Sequence, residues 1–419
     1  MHLILFALLI QGLLYRGGFG QRTIVSVLEN GSMVDIRSVP DRLARDGVPR
    51  TEEISNISEF LSTVLIKTLT FVEYQIVPTS VDSVSSAALC RYIQLAKYYL
   101  PKVSVECDPD IEVVEMGNRN RRATGLSAQC AKLYVNDPDA HHQTHLERMQ
   151  MPAVWDLIKQ YPRRNVTIAV IDGGVDFTDP DLAPLRSSFT LSNGTVIDGG
   201  WNFVNNSATY HPGVYHGQYI SRVAAARGNN SYGMIGVMPD HVNLIALQVL
   251  YNGKGFTGAG LEAINVAIDI GVDVILISST VPLQMARISR KARMHGIVTV
   301  FAAGNSNSVV SNPAICANSL CVTSLENGES FFLSRFANYG RDVALAAFGE
   351  DIYVGLDAAG KHHWASGTSY SAPMVAGAAA ILLSIDTGGK YLHPVGGALN
   401  ILASVKKAIS MYNIRPLVG

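Results

Sequence analysis

Several short stretches of this 419-residue chain carry side chains that could cooperate in a nucleophilic reaction. Asp172 ends the apolar run Ile168-Ala169-Val170-Ile171 and precedes Gly173-Gly174. A carboxylate at the end of a buried strand needs a hydrogen-bonding partner, and an imidazole N–H is one. His216-Gly217 opens a helix-like run that reaches Ala226. Gly367-Thr368-Ser369-Tyr370-Ser371-Ala372-Pro373 leads into the small-residue apolar stretch 375–383. A serine in the first turn of such a helix lies at the positive end of the macrodipole, beside free backbone N–H groups. That suits a nucleophile whose attack creates an oxyanion. Ala302-Ala303-Gly304-Asn305 follows another apolar run, and its amide could donate to the same oxyanion. Taken singly these are a strand-end Asp, a surface His, a capping Ser and a turn Asn. Together they supply an orienting carboxylate, a general base, a nucleophile and an oxyanion donor.

The elements that must position them are legible as a pattern. Residues 166–171, 242–250, 272–278 and 297–303 are nearly continuous apolar runs, as expected of parallel strands buried on both faces. Helix-like segments at 258–270 and 282–295 alternate with them. The predicted fold is α/β, a doubly wound and mostly parallel sheet with helices on both faces, preceded by a small α+β domain. In such sheets reactive groups gather at the carboxyl ends of strands, where Asp172 stands.

The N-terminal part reads differently. Residues 3–14 form an apolar run of the length of a signal-peptide core, with Gly17-Gly18-Phe19-Gly20 as a cleavage zone. Residues 1–20 are therefore expected to direct secretion, and no later segment is apolar for long enough to anchor in a membrane. Residues 70–77 alternate like a half-buried strand, 83–100 carry helical spacing, and 103–114 read as strands. The compact part of this unit is expected at about 68–116, within a domain of residues 21–122. Gly117 to Gly125, with Arg119, Arg121 and Arg122, is either an exposed linker open to proteolysis or a solvated basic loop. The remainder, 123–419, is the larger α/β domain.

Hydrophobic residues at 48% and charged residues at 16% allow a large core, and 33 basic residues balance 34 acidic ones. Nucleic acid or an anionic membrane is not the expected partner. The five cysteines form no CxxC pair. In an oxidising compartment Cys316 with Cys321, and Cys90 with Cys107, could close loops; buried free thiols are the alternative. Asn-X-Ser/Thr sequons stand at Asn30, Asn56, Asn165, Asn193, Asn205 and Asn229, compatible with a secreted glycoprotein.

Asp172, His216 and Ser369 follow the chain order of the subtilisin type. Val170-Ile171-Asp172-Gly173-Gly174-Val175-Asp176 with Asp179-Pro180-Asp181-Leu182, His216-Gly217, and Gly367 to Pro373 resemble the signatures of the subtilase family. The resemblance implies a serine endopeptidase acting through an acyl-enzyme, with Asp172, His216 and Ser369 catalytic and Asn305 in the oxyanion hole. Gly253, Lys254 and Gly255 resemble the strand edge that pairs with extended peptide substrate; Ser278, Ser279 and Thr280 resemble the opposite edge. Ala303 and Gly304 line the cleft beside them. Ser279-Thr280-Val281 is bulkier than the family's usual glycines, so a narrow primary pocket with a preference for small side chains is expected.

Asn229 to Met234 resembles the family's calcium loop, implying Ca2+ held by Asp181, Asn230, Tyr232 and Met234, with an ion-free Asn/Gly turn as the alternative. No organic cofactor is expected. His141-His142-Gln143-Thr144-His145 is expected to be a solvated loop, not a metal cluster. The α+β unit resembles a subtilase propeptide, which implies that the chain is its own inhibitor and chaperone until cut between Met116 and Pro138. Some departures stand out. Gly173 replaces a hydroxyl residue, Phe348 replaces a proline, and Gln218-Tyr219-Ile220-Ser221-Arg222 puts a bulky charge into a normally small-residue helix. These raise the alternative of a weak or inactive scaffold that serves as a binding protein.

Overall fold

Strands that are apolar without interruption must bury two faces, and in the computed structural model they do. It describes residues 22–29, 32–45, 52–63, 66–68, 75–78, 85–99, 103–109, 112–114, 131–210, 215–279, 284–310, 316–328, 331–357, 359–385 and 398–417. The expected signal segment, the arginine-rich linker, Cys130, Thr280 and most of the 70–77 strand lie outside these residues. The chain divides into a first unit ending at Ile111 and a second beginning at Glu112.

In the first unit β1 (Arg22–Glu29) is the central strand. It pairs antiparallel with β2 (Ser32–Met33), β4 (Gln75–Pro78) and β5 (Val103–Pro109), while β3 (Lys67–Thr68) adds to β4. Helices α1 (Val39–Arg45), α2 (Glu52–Thr63) and α3 (Ser86–Tyr99) supply Val39, Leu43, Ile57, Leu61, Leu89 and Ile93 to a core with Val25 and Val77. This unit is α+β as expected, but its compact part reaches back to Arg22, well ahead of residue 68. The early strand escapes a local reading because its longer pairings, with β4 and β5, are made with residues about 50 to 86 positions downstream. A Cys90–Cys107 disulfide ties α3 to β5.

The second unit opens with β6 (Glu112–Val114), then α4 (Thr144–Arg148) and α5 (Met151–Ile158). Its main sheet is built from β7 (Val166–Asp172), β8 (Gly200–Asn202), β9 (Val242–Gln248), β12 (Val274–Ile277), β13 (Val298–Ala302), β14 (Leu320–Leu325) and β15 (Leu345–Phe348). The seven strands run in the order β8-β9-β7-β12-β13-β14-β15, every pair parallel. Ile168 and Val170 of β7 belong to the core shared with α6 (His216–Ala225) and α9 (Thr368–Ser384). Ala169 and Ile171 are equally buried, and strand alternation turns them to the opposite face. There α7 (Thr257–Ile270) packs with α8 (Gln284–Met294). The order reverses at β7, so the carboxyl ends of β7 and β12 form the switch-point crevice.

Between β9 and α7 a hairpin joins β10 (Leu250–Tyr251) to β11 (Lys254–Phe256) through Asn252-Gly253, both at positive φ as a two-residue hairpin turn requires. A second hairpin pairs β16 (Ile352–Leu356) with β17 (His362–Ala365), and α10 (Ile401–Tyr412) closes the chain. Cys316 and Cys321 form the second disulfide. Among the described residues no helix is long and apolar enough to cross a membrane.

Candidate active site

Asp172 is the last residue of β7 and fully buried. Its Oδ1 accepts from the Gly173 N–H at 2.7 Å, so the backbone supplies a hydrogen bond beside the position where a hydroxyl side chain is missing. Its two oxygens lie 2.9 and 3.0 Å from His216 Nδ1. A carboxylate facing Nδ1 fixes the proton there and leaves Nε2 as the basic nitrogen. His216 begins α6, and its ring meets the edge of Tyr370 at 5.8 Å. A Cβ at Gly217 would lie 2.3 Å from the Gly174 carbonyl oxygen, so only glycine lets the helix start this close to the turn after Asp172.

Ser369 lies in the first turn of α9, a helix buried along almost its whole length. Close approach of α9 to α6 depends on Gly377, where a Cβ would sit 2.8 Å from the Ala224 carbonyl oxygen. The small residues after the serine thus serve packing between the two helices that carry Ser369 and His216. The Ser369 hydroxyl donates to the Ser278 carbonyl at 3.1 Å, and the Ser278 hydroxyl donates back to the Ser369 carbonyl at 3.2 Å. A hydroxyl has one proton; in this rotamer it is not given to the imidazole.

The Asn305 amide is oriented unambiguously. Its Oδ1 accepts from both the N–H and the hydroxyl of Thr368, each at 2.9 Å, so that atom must be the oxygen. Nδ2 then faces the other way, buried and with no acceptor among the described residues. A buried donor left open costs about 1–3 kcal/mol, and such an atom beside the helix turn that carries Ser369 is suited to an anion that exists only during reaction. Gly367 keeps the adjoining space open, since a Cβ there would be 3.1 Å from Nδ2.

Ser278 is hydrogen-bonded to Ser369, and the Gly304 N–H donates to the Thr368 hydroxyl at 3.1 Å, while their neighbours Ser279 and Ala303 are buried. Gly253 sits in the hairpin turn, while Lys254 and Gly255 lie on β11. That strand pairs antiparallel with β6, in the register Lys254–Val114, Gly255–Val113 and Phe256–Glu112. The edge expected to receive an extended chain is occupied by one, the segment that follows the first unit.

The charged helix after His216 proves to be compensated. Arg222 Nε donates to Asp179 Oδ2 at 2.7 Å, and its Nη1 donates to the Val354 and Leu356 carbonyls. Gln218 Nε2 donates to the same Asp179 oxygen at 2.8 Å, while its Oε1 accepts from the Asp176 N–H. The two unusual side chains therefore clamp α6 to the segment after Asp172. Phe348 is buried, with the Arg148 guanidinium 4.3 Å above its ring.

Asp181 is buried. Asn230 Nδ2 donates to its Oδ1 at 3.0 Å and the Met234 N–H to its Oδ2 at 2.9 Å. Burial pushes its pKa up to about 7. Asp137, which carries no sequence signal of its own, accepts from the N–H groups of Asn229 and Asn230 and holds the loop from the other side. Alternate residues Asn229, Ser231 and Gly233 have positive φ, and Tyr232 is partly exposed. Among the described residues no three His, Cys, Asp or Glu side chains group to hold a metal ion. The His141–His145 stretch corrects the expectation of a solvated loop. His142 packs against Tyr353, His362 and Trp364, and His145 is buried in α4 because Leu146 and Met149 of the same short segment draw it into the core.

A parallel sheet with a carboxylate, an imidazole and a serine at its crevice defines a hydrolase of the serine-protease kind. Residues 163–393 match the Subtilase family, Peptidase_S8. Over 257 residues the chain is 36% identical to thermitase of Thermoactinomyces vulgaris, covering 59% of this chain and 85% of that protein. It is 31% identical over 287 residues to subtilisin E of Bacillus subtilis, covering 63% and 71%. A thermophilic serine proteinase of a Bacillus species is 35% identical over 237 residues, or 55% of this chain and 54% of that one. The fold also matches fervidolysin from Fervidobacterium pennivorans, with a TM-score of 0.64 at 18% identity over 93% of this chain and 62% of that chain. The chain belongs to the subtilase family of serine proteases.

Proposed function

We propose that the chain is the secreted, self-inhibited precursor of a subtilisin-like serine endopeptidase. The observation that carries this reading is the Asp172–His216 couple, whose imidazole packs against Tyr370, the residue that follows Ser369 in the first turn of α9. The reaction requires Ser369 to turn about χ1 away from the Ser278 carbonyl so that its hydroxyl meets His216 Nε2. The serine oxygen then attacks a peptide carbonyl carbon as its proton passes to Nε2, and Asp172 stabilises the imidazolium. The carbonyl oxygen becomes an anion that accepts hydrogen bonds from Asn305 Nδ2 and the Ser369 N–H. Collapse breaks the C–N bond, His216 returns its proton to the leaving amine, and water admitted by the same base hydrolyses the acyl-enzyme.

Substrate would bind extended against Lys254–Phe256, as Glu112–Val114 does here. That pairing, together with a fully buried Ser369, supports a cleft held shut by the chain itself until it is cut between Met116 and Pro138. Two disulfides suit an oxidising compartment and support secretion. The compensated Arg222 supports a catalytic reading over an inactive scaffold.

A structural Ca2+ belongs to the same proposal. Asp181 is a desolvated carboxylate met directly by neutral donors, the condition a hard cation relieves. Asp181, the Asn230 amide oxygen once the amide is turned from its present bond to Asp181, and the carbonyls of Tyr232 and Met234 would hold it, stabilising the loop.

The test is a fluorophosphonate probe with N-terminal sequencing of the secreted product. We expect a labelled, shortened protein and no label in Ser369→Ala. A probe that never reacts after propeptide removal would defeat the proposal. A Ser369→Ala precursor still cut normally would show processing by another protease.

A further inference from the structure

Resting on that reading, we infer that Asn338 is the positioning residue for the oxyanion donor Asn305. Asn338 is 6% exposed and lies in the loop between β14 and β15, far from Asn305 in sequence. Almost every polar atom it owns is spent on the short loop that carries Asn305. Its Oδ1 accepts from the N–H groups of Ser306 at 2.9 Å and Ser308 at 3.3 Å. Its Nδ2 donates to the Ala303 carbonyl at 2.9 Å, and its backbone N–H donates to the Gly304 carbonyl at 2.9 Å. Residues on both sides of Asn305 are thus tied to one buried side chain, while Asn305 itself is not touched. Asn338 is anchored in turn by the Thr323 hydroxyl, which donates to its carbonyl at 2.5 Å from β14.

Two further details fix the geometry. Gly304 has φ +108°, a conformation that excludes ordinary side chains, and a Cβ there would lie 2.3 Å from Asn338 Nδ2. The asparagine therefore fills the space beside the glycine and sets the path of the backbone into Asn305. From the other side, Thr368 fixes the amide's rotation. Thr368 thus orients Asn305 while Asn338 sets its position. Oxyanion stabilisation depends on donor placement within a few tenths of an ångström, so loosening this loop costs transition-state stabilisation more than peptide binding, which rests mainly on Lys254–Phe256.

The experiment is a double-mutant cycle read in kcat and KM, on protein purified from full-chain expression. Asn305→Ala is expected to lower kcat by about 10²–10³-fold, the loss typical when a subtilisin loses its oxyanion-hole amide. Asn338→Ala is expected to lower kcat by about tenfold or more with KM within about threefold. The double variant should be no worse than Asn305→Ala, because Asn338 acts only through that amide. Asn338→Asp keeps the acceptor for Ser306 and Ser308 but loses the donor to Ala303, and should fall between wild type and Asn338→Ala. Losses that multiply in the double variant, or a kcat for Asn338→Ala within about twofold of wild type, overturn the inference. Should Asn338→Ala fail to fold, Asn338→Asp takes its place in the cycle, and a loss that multiplies with that of Asn305→Ala overturns the inference. A normal kcat in Asn305→Ala would instead overturn the oxyanion assignment on which the inference rests.

Discussion

Replacing Arg222 by methionine tests whether the departure in the His216 helix is a defect or a clamp. The guanidinium and the Asp179 carboxylate are 12% and 5% exposed, so solvent screens them little. Arg222→Met keeps the apolar stem but leaves the Asp179 carboxylate in the interior, with Gln218 Nε2 and the Asp181 N–H as its remaining donors among the described residues. Removing one partner of a buried ion pair costs about 3–5 kcal/mol. For a domain of this size, about 2–4 °C of Tm accompanies each kcal/mol, and the lower end applies to longer chains. The expected fall is roughly 6–15 °C, measured by thermal denaturation in a Ser369→Ala background that prevents self-digestion. The pair Asp179→Asn/Arg222→Met removes both charges and should recover at least half of the loss. A fall of less than about 2 °C in the single variant, or a double variant less stable than the single, would refute the clamp.

Three other outcomes are expected. His145 is buried, its ring nitrogens have no hydrogen-bond partner among the described residues, and desolvation lowers its pKa from 6.5 to about 3. The unfolded chain therefore binds a proton below pH 6.5 that the folded chain refuses, and stability declines by about 1.4 kcal/mol per pH unit from 6.5 toward 3. Urea unfolding at about pH 7.5 and 5 should show about 2 kcal/mol of extra loss in wild type relative to His145→Phe; equal losses would place the acid sensitivity elsewhere. Chelation should lower the melting temperature of wild type and leave Asp181→Asn unchanged, since a site filled at about 1,000 times its Kd contributes about 4 kcal/mol; an unaltered wild-type melt removes calcium from the proposal. A peptide library should show small residues preferred immediately before the cut, and strong selection for large aromatic ones contradicts the narrow pocket.

The parallel strands, and the placing of Asp172 at a strand end and of His216 and Ser369 at helix starts, are legible because each depends on local signals. Apolar runs declare buried strands, and a serine ahead of a small-residue helix declares a packed helix start. Both disulfide pairs are legible as options for the same reason, since each closes a short loop. Arg222 reads as a misfit because its partner, Asp179, lies 43 residues away on another element. Asn338 carries no signal at all, as nothing in Ala337-Asn338-Tyr339-Gly340 says which loop it will bind. Residue type and short-range spacing determined which groups were available for chemistry. Only the packing of sheet and helices decided which long-range polar partners meet, because a buried hydrogen bond is specified by three-dimensional proximity and leaves no periodic trace along the chain.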